Sequence, residues 1–156
     1  MYAKQEIEVH TQETMNHESI NHLDHWSPVA LQERAAALCE QAKQGDGAAS
    51  VTLREFPRHT AMLLVRTGVG LAEQHENFAD LFYVLDGQAT LVTGGVIAEA
   101  VCVSLGETRG ASVQGGASQP LRAGDVAHVP AGLPHQMLVA AGETITCLVM
   151  KIQEKS

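Results

Sequence analysis

The sequence predicts an all-β sandwich or barrel preceded by a single helix. Three observations carry this expectation. After residue 49 the chain breaks into short runs rich in branched and aromatic residues: SVTLREF, TAMLLVRT, DLFYVL, QATLVT, DVAHVP, HQMLVA and TITCLVMKI. Glycine, proline, aspartate and asparagine punctuate those runs, and the chain holds 14 glycines in all. Strands do not alternate with helices, which argues against a doubly wound parallel sheet.

The 156 residues have the length of one ordinary domain. They divide into an arm and helix over 1–48 and a β body over 49–156. Residues 1–27 are polar and hold His10, His17, His22 and His25. The His22 to His25 spacing suits one helical face or a loose turn, but no cysteine accompanies it. The stretch reads instead as a surface arm that packs Ile20, Leu23 and Trp26 on the body or on a partner chain. It has no apolar core of the kind a signal peptide needs. SPVALQERAAALCEQAKQGDG follows, with Ser27 as cap, Pro28 in the first turn and Gly45 after the last turn. Leu31, Ala35, Leu38 and Ala42 recur at helical spacing, so a helix near 28–43 is expected to lie against the body. Among the strands, Asp86-Gly87 reads as a turn. Residues 94–116, GGVIAEAVCVSLGETRGASVQGG, read as one or two strand segments in a long glycine-rich excursion, with Arg109 as its brace or, alternatively, as a charge pointed at a ligand. That excursion lacks the lysine and following hydroxyl of a phosphate loop.

Composition narrows the function classes. The formal charge is −8, from 18 acidic and 10 basic side chains, and no lysine or arginine run exists. Nucleic acid is therefore not an expected partner. Arg54, Arg58 and Arg66 form at most a weak positive patch, which could receive an anion but reads rather as a solvated face. No apolar stretch reaches the 18 residues of a membrane span. Cys39, Cys102 and Cys147 are widely spaced and contain no CxxC, so they read as small buried hydrophobes in a reducing, cytoplasmic setting.

The chemistry concentrates in residues 73–87, EQHENFADLFYVLDG. Glu73 and His75 are two apart, so on a strand they share a face. Asp80 opens the next apolar run and comes beside them if that run pairs back as an antiparallel neighbour. A second piece lies far along the chain, GDVAHVPAGLPHQML, where a rigid Pro130–Pro134 turn sets the direction of His135. Oxygen and nitrogen donors of this kind suit iron, manganese, nickel, cobalt or zinc.

These two pieces resemble the paired motifs of the cupin superfamily of small jelly-roll barrels. Its second motif, G-x5-P-x-G-x2-H-x3-N, is matched by Gly124, Pro130, Gly132 and His135, with Val139 in place of the asparagine. Its first, G-x5-H-x-H-x3,4-E-x6-G, is altered but in register. Glu73 stands at the first histidine, His75 at the second, Asp80 at the glutamate and Gly87 at the closing glycine, while Thr67 stands at the leading one. The resemblance covers roughly residues 60–150. It implies a double-stranded β-helix (jelly-roll) barrel with the N-terminal helix packed outside, a divalent metal in the barrel, and dimer formation through outer strands. Cupins include dioxygenases, isomerases, decarboxylases, lyases and non-enzymatic binding domains, so the fold names no reaction.

The departures have chemical consequences. The ligand set becomes Glu73, His75, Asp80 and His135, and its two carboxylates favour iron or manganese, with zinc or nickel as alternatives. In a second arrangement His75, Asp80 and His135 form the two-histidine, one-carboxylate triad of oxygen-activating iron. Glu73 then acts as a general base. By strand parity Leu71, Phe82, Val84, Met137 and Val139 face the same interior, with Val84 and Val139 as plain core. His59 is a candidate for the cavity mouth and His128 for an outward seam. An apolar cavity of this kind suits a small organic molecule better than a sugar nucleotide. The leading expectation is a metal-dependent, oxygenase-like enzyme. A metal-dependent isomerase or lyase and a non-enzymatic binding or sensing domain are the alternatives. A homodimer is expected from the apolar arm and the strand edges.

Overall fold

The computed structural model describes residues 22–156, so His10, His17 and Ile20 lie outside the described residues. Helix α1 (Pro28–Gln44) leads into β1 (Ala48–Glu55), β2 (His59–Arg66), β3 (Ala72–His75) and β4 (Phe78–Thr93). Four short strands follow: β5 (Val96–Ala98), β6 (Val101–Ser104), β7 (Glu107–Gly110) and β8 (Ser112–Gln114). The chain ends through β9 (Ala117–Arg122), β10 (Val126–Val129), β11 (His135–Leu138) and β12 (Ile145–Gln153). The strands make an all-β jelly-roll half-barrel, and α1 packs against its outside. No helix among the described residues is long and apolar enough to cross a membrane.

The helix forms where its signals stand. Ser27 Oγ accepts from the Ala30 N–H at 3.2 Å, and Pro28 occupies the first turn. At the other end the Gly45 N–H reaches the carbonyls of Gln41 and Ala42. The predicted stripe is the buried face: Leu31, Ala35, Leu38 and Cys39 meet Leu63 and Val65 of β2, both fully buried. Burying each of these two side chains contributes roughly 1.5–3 kcal/mol. Strand β2 is therefore covered on both faces. Leu63 and Val65 point to the helix, and Met62, Leu64 and Arg66 alternate with them into the barrel.

Asp86-Gly87 does not reverse the chain. Strand β4 runs through it, pairing with β10 and β12 in its first half and with β9 and β11 in its second. The register slips where Cys147 pairs with Val84 and Thr146 with Asp86, leaving Leu85 as the extra residue. A bulge of this kind bends a strand, and here it carries β4 from one layer to the other. Gly87 has φ 78°, and a Cβ there would stand 2.0 Å from the Thr144 carbonyl oxygen. The position admits glycine for both reasons.

The glycine-rich excursion contains more order than its sequence suggests. Its strands β6 and β7 extend the sheet beyond β3, and β5 pairs with β8 as a separate ribbon. Buried Gln136 ties it down. Its side-chain amide donates to the carbonyls of Gly70 and Ala111 and accepts from the Val113 N–H. The cysteines also differ from expectation. Only Cys147 is buried, with its thiol pushed up to about 12 by that burial, whereas Cys102 is exposed on β6 and Cys39 is intermediate. In the arm, Leu23 is 91% exposed and so does not pack on the body. Trp26 does, at a groove between α1 and the outer face of β4 and β12.

Candidate metal centre

Strand pairing brings the two separated sequence pieces together. His135 of β11 pairs directly with Glu73 of β3. The Gly132 N–H, in the turn before β11, donates to the His75 carbonyl at 2.7 Å. Glu73, His75 and His135 thus project from one layer, and they offer ligand atoms that all lie within 4.8 Å of one another. Asp80 arrives by a route other than the expected one. Strand β4 does not pair back on β3, which lies between β7 and β11. Asp80 instead sits opposite Lys151 and Val129 in the facing layer. From there its Oδ2 stands 3.1 Å from His75 Nε2 and 3.4 Å from His135 Nε2.

Both imidazoles have one nitrogen fixed from behind. His75 Nδ1 meets Glu107 Oε2 at 2.5 Å, and His135 Nδ1 meets the Leu133 carbonyl at 3.1 Å. A carbonyl oxygen only accepts, so His135 carries its proton on Nδ1 and presents a bare Nε2 when neutral. The Glu107 carboxylate sets the same tautomer at His75. Both Nε2 atoms are buried without a hydrogen-bond partner. The Asp80 oxygen is close to both and makes no hydrogen bond with either.

The two carboxylates share a design. Glu73 turns Oε2 to the imidazoles, at 3.8 and 3.7 Å, and Oε1 to Arg109 and Arg66, at 3.5 and 3.7 Å. Asp80 turns Oδ2 to the imidazoles, and its Oδ1 accepts from Lys151 Nζ at 3.0 Å. Each has one oxygen directed inward and the other held by a cation. Such outer partners orient ligands at metal sites. Burial works against the charge on Asp80, but the neighbouring imidazoles and Lys151 outweigh it and hold the carboxyl well below the usual range. Burial likewise opposes a charge on His75, and the contact with Asp80 outweighs it and raises the imidazole's pKa. A cation binding at Nε2 competes with a proton there.

The donors open on a cavity of about 250 Å³. Leu71, Phe82 and Met137 line it as strand parity predicts, and Val84 and Val139 stay in the core behind. His59 is elsewhere, stacked on Phe56 with centroids 4.4 Å apart, and exposed His128 faces Glu154 at 3.4 Å. The Arg54–Arg66 patch also divides. Arg66 enters the cavity, and Arg54 pairs with Asp24 outside. Four charged groups of this site lie outside the sequence-predicted ligand set: Arg66, Glu107, Arg109 and Lys151. Three carried a signal. Lys151 continues the inward alternation of Cys147 and Val149, and Glu107 and Arg109 share a strand face. A larger groove of about 650 Å³ lies under α1, lined by Trp26, Leu31 and Tyr83 among others, but it brings together no cluster of donor atoms.

Sequence comparison finds no matching family model and no matching curated protein. Solved structures do match in shape. KdgF from a Halomonas species is 16% identical with a TM-score of 0.51, covering 71% of this chain and 84% of its own. A predicted oxalate decarboxylase from Thermotoga maritima is 14% identical with a TM-score of 0.50, covering 68% and 80%. The Streptomyces nucleoside dehydratase Pac13 is 11% identical with a TM-score of 0.50, covering 69% and 70%. The chain is a small cupin-like jelly-roll barrel with a candidate metal-binding cluster. At these identities the likeness is one of fold.

Proposed function

We propose that this cluster binds a divalent ion and that the protein is a metal-dependent enzyme, oxygenase-like, acting on a small organic molecule. One observation carries the metal reading. Two buried imidazoles point bare Nε2 atoms at the same space with no hydrogen-bond partner, a costly arrangement unless a cation fills it. His75, His135 and Glu73 Oε2 are the leading donors, and Asp80 Oδ2 completes the set. Nitrogen and carboxylate oxygen donors favour iron or manganese, with zinc or nickel as alternatives. A bound ion supplies Lewis acidity and, if iron, access to oxygen chemistry. The chain's own residues do the rest. Glu107 and the Leu133 carbonyl hold the imidazole tautomers, Lys151 fixes Asp80, and the apolar wall excludes water around a substrate.

A second reading, an isomerase or lyase, draws on one difference between the carboxylates. The Glu73 side chain is 23% exposed and that of Asp80 only 5%, so a substrate reaches Glu73 as a general base. Elemental analysis of protein purified without added metal, read with its absorption spectrum, separates these readings. Iron with oxygen-sensitive absorbance is the expected result. Colourless zinc or manganese favours the second reading. Protein that takes up no ion from any supplement defeats both and leaves a non-enzymatic binding domain.

We also propose a homodimer. Exposed Leu23, Val51, Tyr83 and Val126 are apolar surface that a second copy would cover, and β6 ends the sheet as an edge strand, paired only with β7, with Val101 and Val103 exposed. Light scattering at low micromolar concentration is expected to give twice the chain mass, and a monomer mass counts against the proposal.

A further inference from the structure

The cations around the cluster do more than the metal reading requires. Arg66 of β2, Arg109 of β7 and Lys151 of β12 come from distant parts of the chain and line one small cavity. Three carboxylates face them: Glu73, Asp80 and Glu107, at separations from 3.0 to 3.7 Å. With neutral imidazoles, three positive and three negative charges cancel. A divalent ion then adds two positive charges that no side chain of the wall balances. The rest of that wall is largely apolar, including Met62, Leu64, Leu71, Phe82, Met137 and Val149. Uncompensated charge in such surroundings is costly, so the metal-loaded site favours an anion as its ligand.

The arginines show where that anion would sit. Lys151 donates to Asp80 at 3.0 Å, and Arg109 gives Nη1 to Glu107 at 3.1 Å and to the Thr108 carbonyl at 3.2 Å. Arg66 and Arg109 approach Glu73 only at 3.7 and 3.5 Å, longer than a good charge-assisted bond. Arg66 also keeps a buried Nε–H without an acceptor. Its guanidinium lies in a prepared place. A Cβ on Gly70 would stand 2.6 Å from Arg66 Nη1, so the bare backbone there makes the room. That backbone is fixed in turn. The Gly70 N–H donates to the Met137 carbonyl, and the Gly70 carbonyl accepts from Gln136. A planar fork held beside a metal site suits a carboxylate.

Resting on the metal reading above, we propose that the ligand is a small organic acid. Its carboxylate takes the Arg66–Arg109 side of the cavity beside the ion, and its carbon skeleton lies on Leu71, Phe82 and Met137. The cavity, about 250 Å³, falls below the roughly 300–1,000 Å³ of drug-sized ligand sites, which limits the acid to a small one. Acid and ion each remove the charge imbalance that the other would leave, so their binding is coupled, and by linkage the coupling is reciprocal.

Calorimetric titration tests this with Mn²⁺ as the ion, mandelate as the acid and mandelamide as its neutral counterpart. Mandelate is expected to tighten Mn²⁺ binding by about tenfold or more, within the usual range of coupling between sites, and mandelamide is expected to leave it nearly unchanged. Arg66→Gln and Arg109→Gln are each expected to remove most of the effect of mandelate while Mn²⁺ still binds. Equal effects of acid and amide on the unaltered protein overturn the proposal, whether or not the variants fold. Coupling that survives in full in both folded variants also overturns it. Failure of Mn²⁺ and of every other divalent supplement to bind, with or without acid, is a different result, since it overturns the metal reading on which this one rests.

Discussion

Replacing His135 with alanine is expected to abolish stoichiometric metal uptake while the barrel still folds. The imidazole is one of two bare nitrogen donors, and nothing else on β11 substitutes for it. Strand β11 itself is held by other groups. Gln136 is anchored on Gly70 and Ala111, Met137 is in the core, and four residues of β11 pair with β4. Removing an outer partner of a metal ligand typically costs 10–100-fold in affinity. Loss of the ligand itself should exceed that, and Glu107→Gln, which weakens only the brace behind His75, should fall within it. His75→Ala is expected to match His135→Ala, because the two nitrogens have equivalent positions. The measurements are bound metal per chain after dialysis and a melting curve for each variant. A His135→Ala protein that retains its metal in full would show that the ion sits elsewhere.

The contrast between those variants reflects what was legible in the sequence. The donors were readable because each sits in a turn or strand whose local chemistry fixes its direction. Two prolines and Gly132 aim His135, and alternation puts Glu73 and His75 on one face. The groups behind them were not readable in the same way. Glu107 reaches His75 through the pairing of β7 with β3, which the glycine-rich excursion hides as a series of strands too short to show a period. Arg66 looked like part of a surface patch because its strand is buried on both faces, by α1 and by the barrel, and a strand of that kind does not announce which side is wet. The bend at Gly87 was hidden for a related reason. Asp-Gly supplies the positive φ that a hairpin turn needs and also the one that a bulge needs. Only the partner strand decides, and here β12 pairs on both sides of the bulged Leu85, with Val84 and with Asp86.

Glu73→Gln is the second substitution with a large expected effect, and its electrostatics are unusually direct. Glu73 Oε2 faces both imidazole nitrogens, while Oε1 faces two guanidinium groups. An amide keeps the size but loses the charge. Arg66 and Arg109 are then left with less negative charge between them, so the cavity becomes net positive before any ion enters. Repulsion and the poorer donor act in the same direction. Metal affinity is expected to fall by about 10–100-fold, comparable to losing a well-placed partner, with His75 and His135 still sufficient for weak binding. If Glu73 is instead a base that never touches the ion, the ion should remain bound near its original affinity in the folded variant, because the charge lost is farther away. Arg109→Gln combined with Glu73→Gln separates the two contributions. Removing one cation along with the carboxylate restores the charge balance, so any affinity regained measures the repulsion and the remaining deficit measures the lost donor. A double variant that binds metal as tightly as the original protein would remove Glu73 from the ligand set.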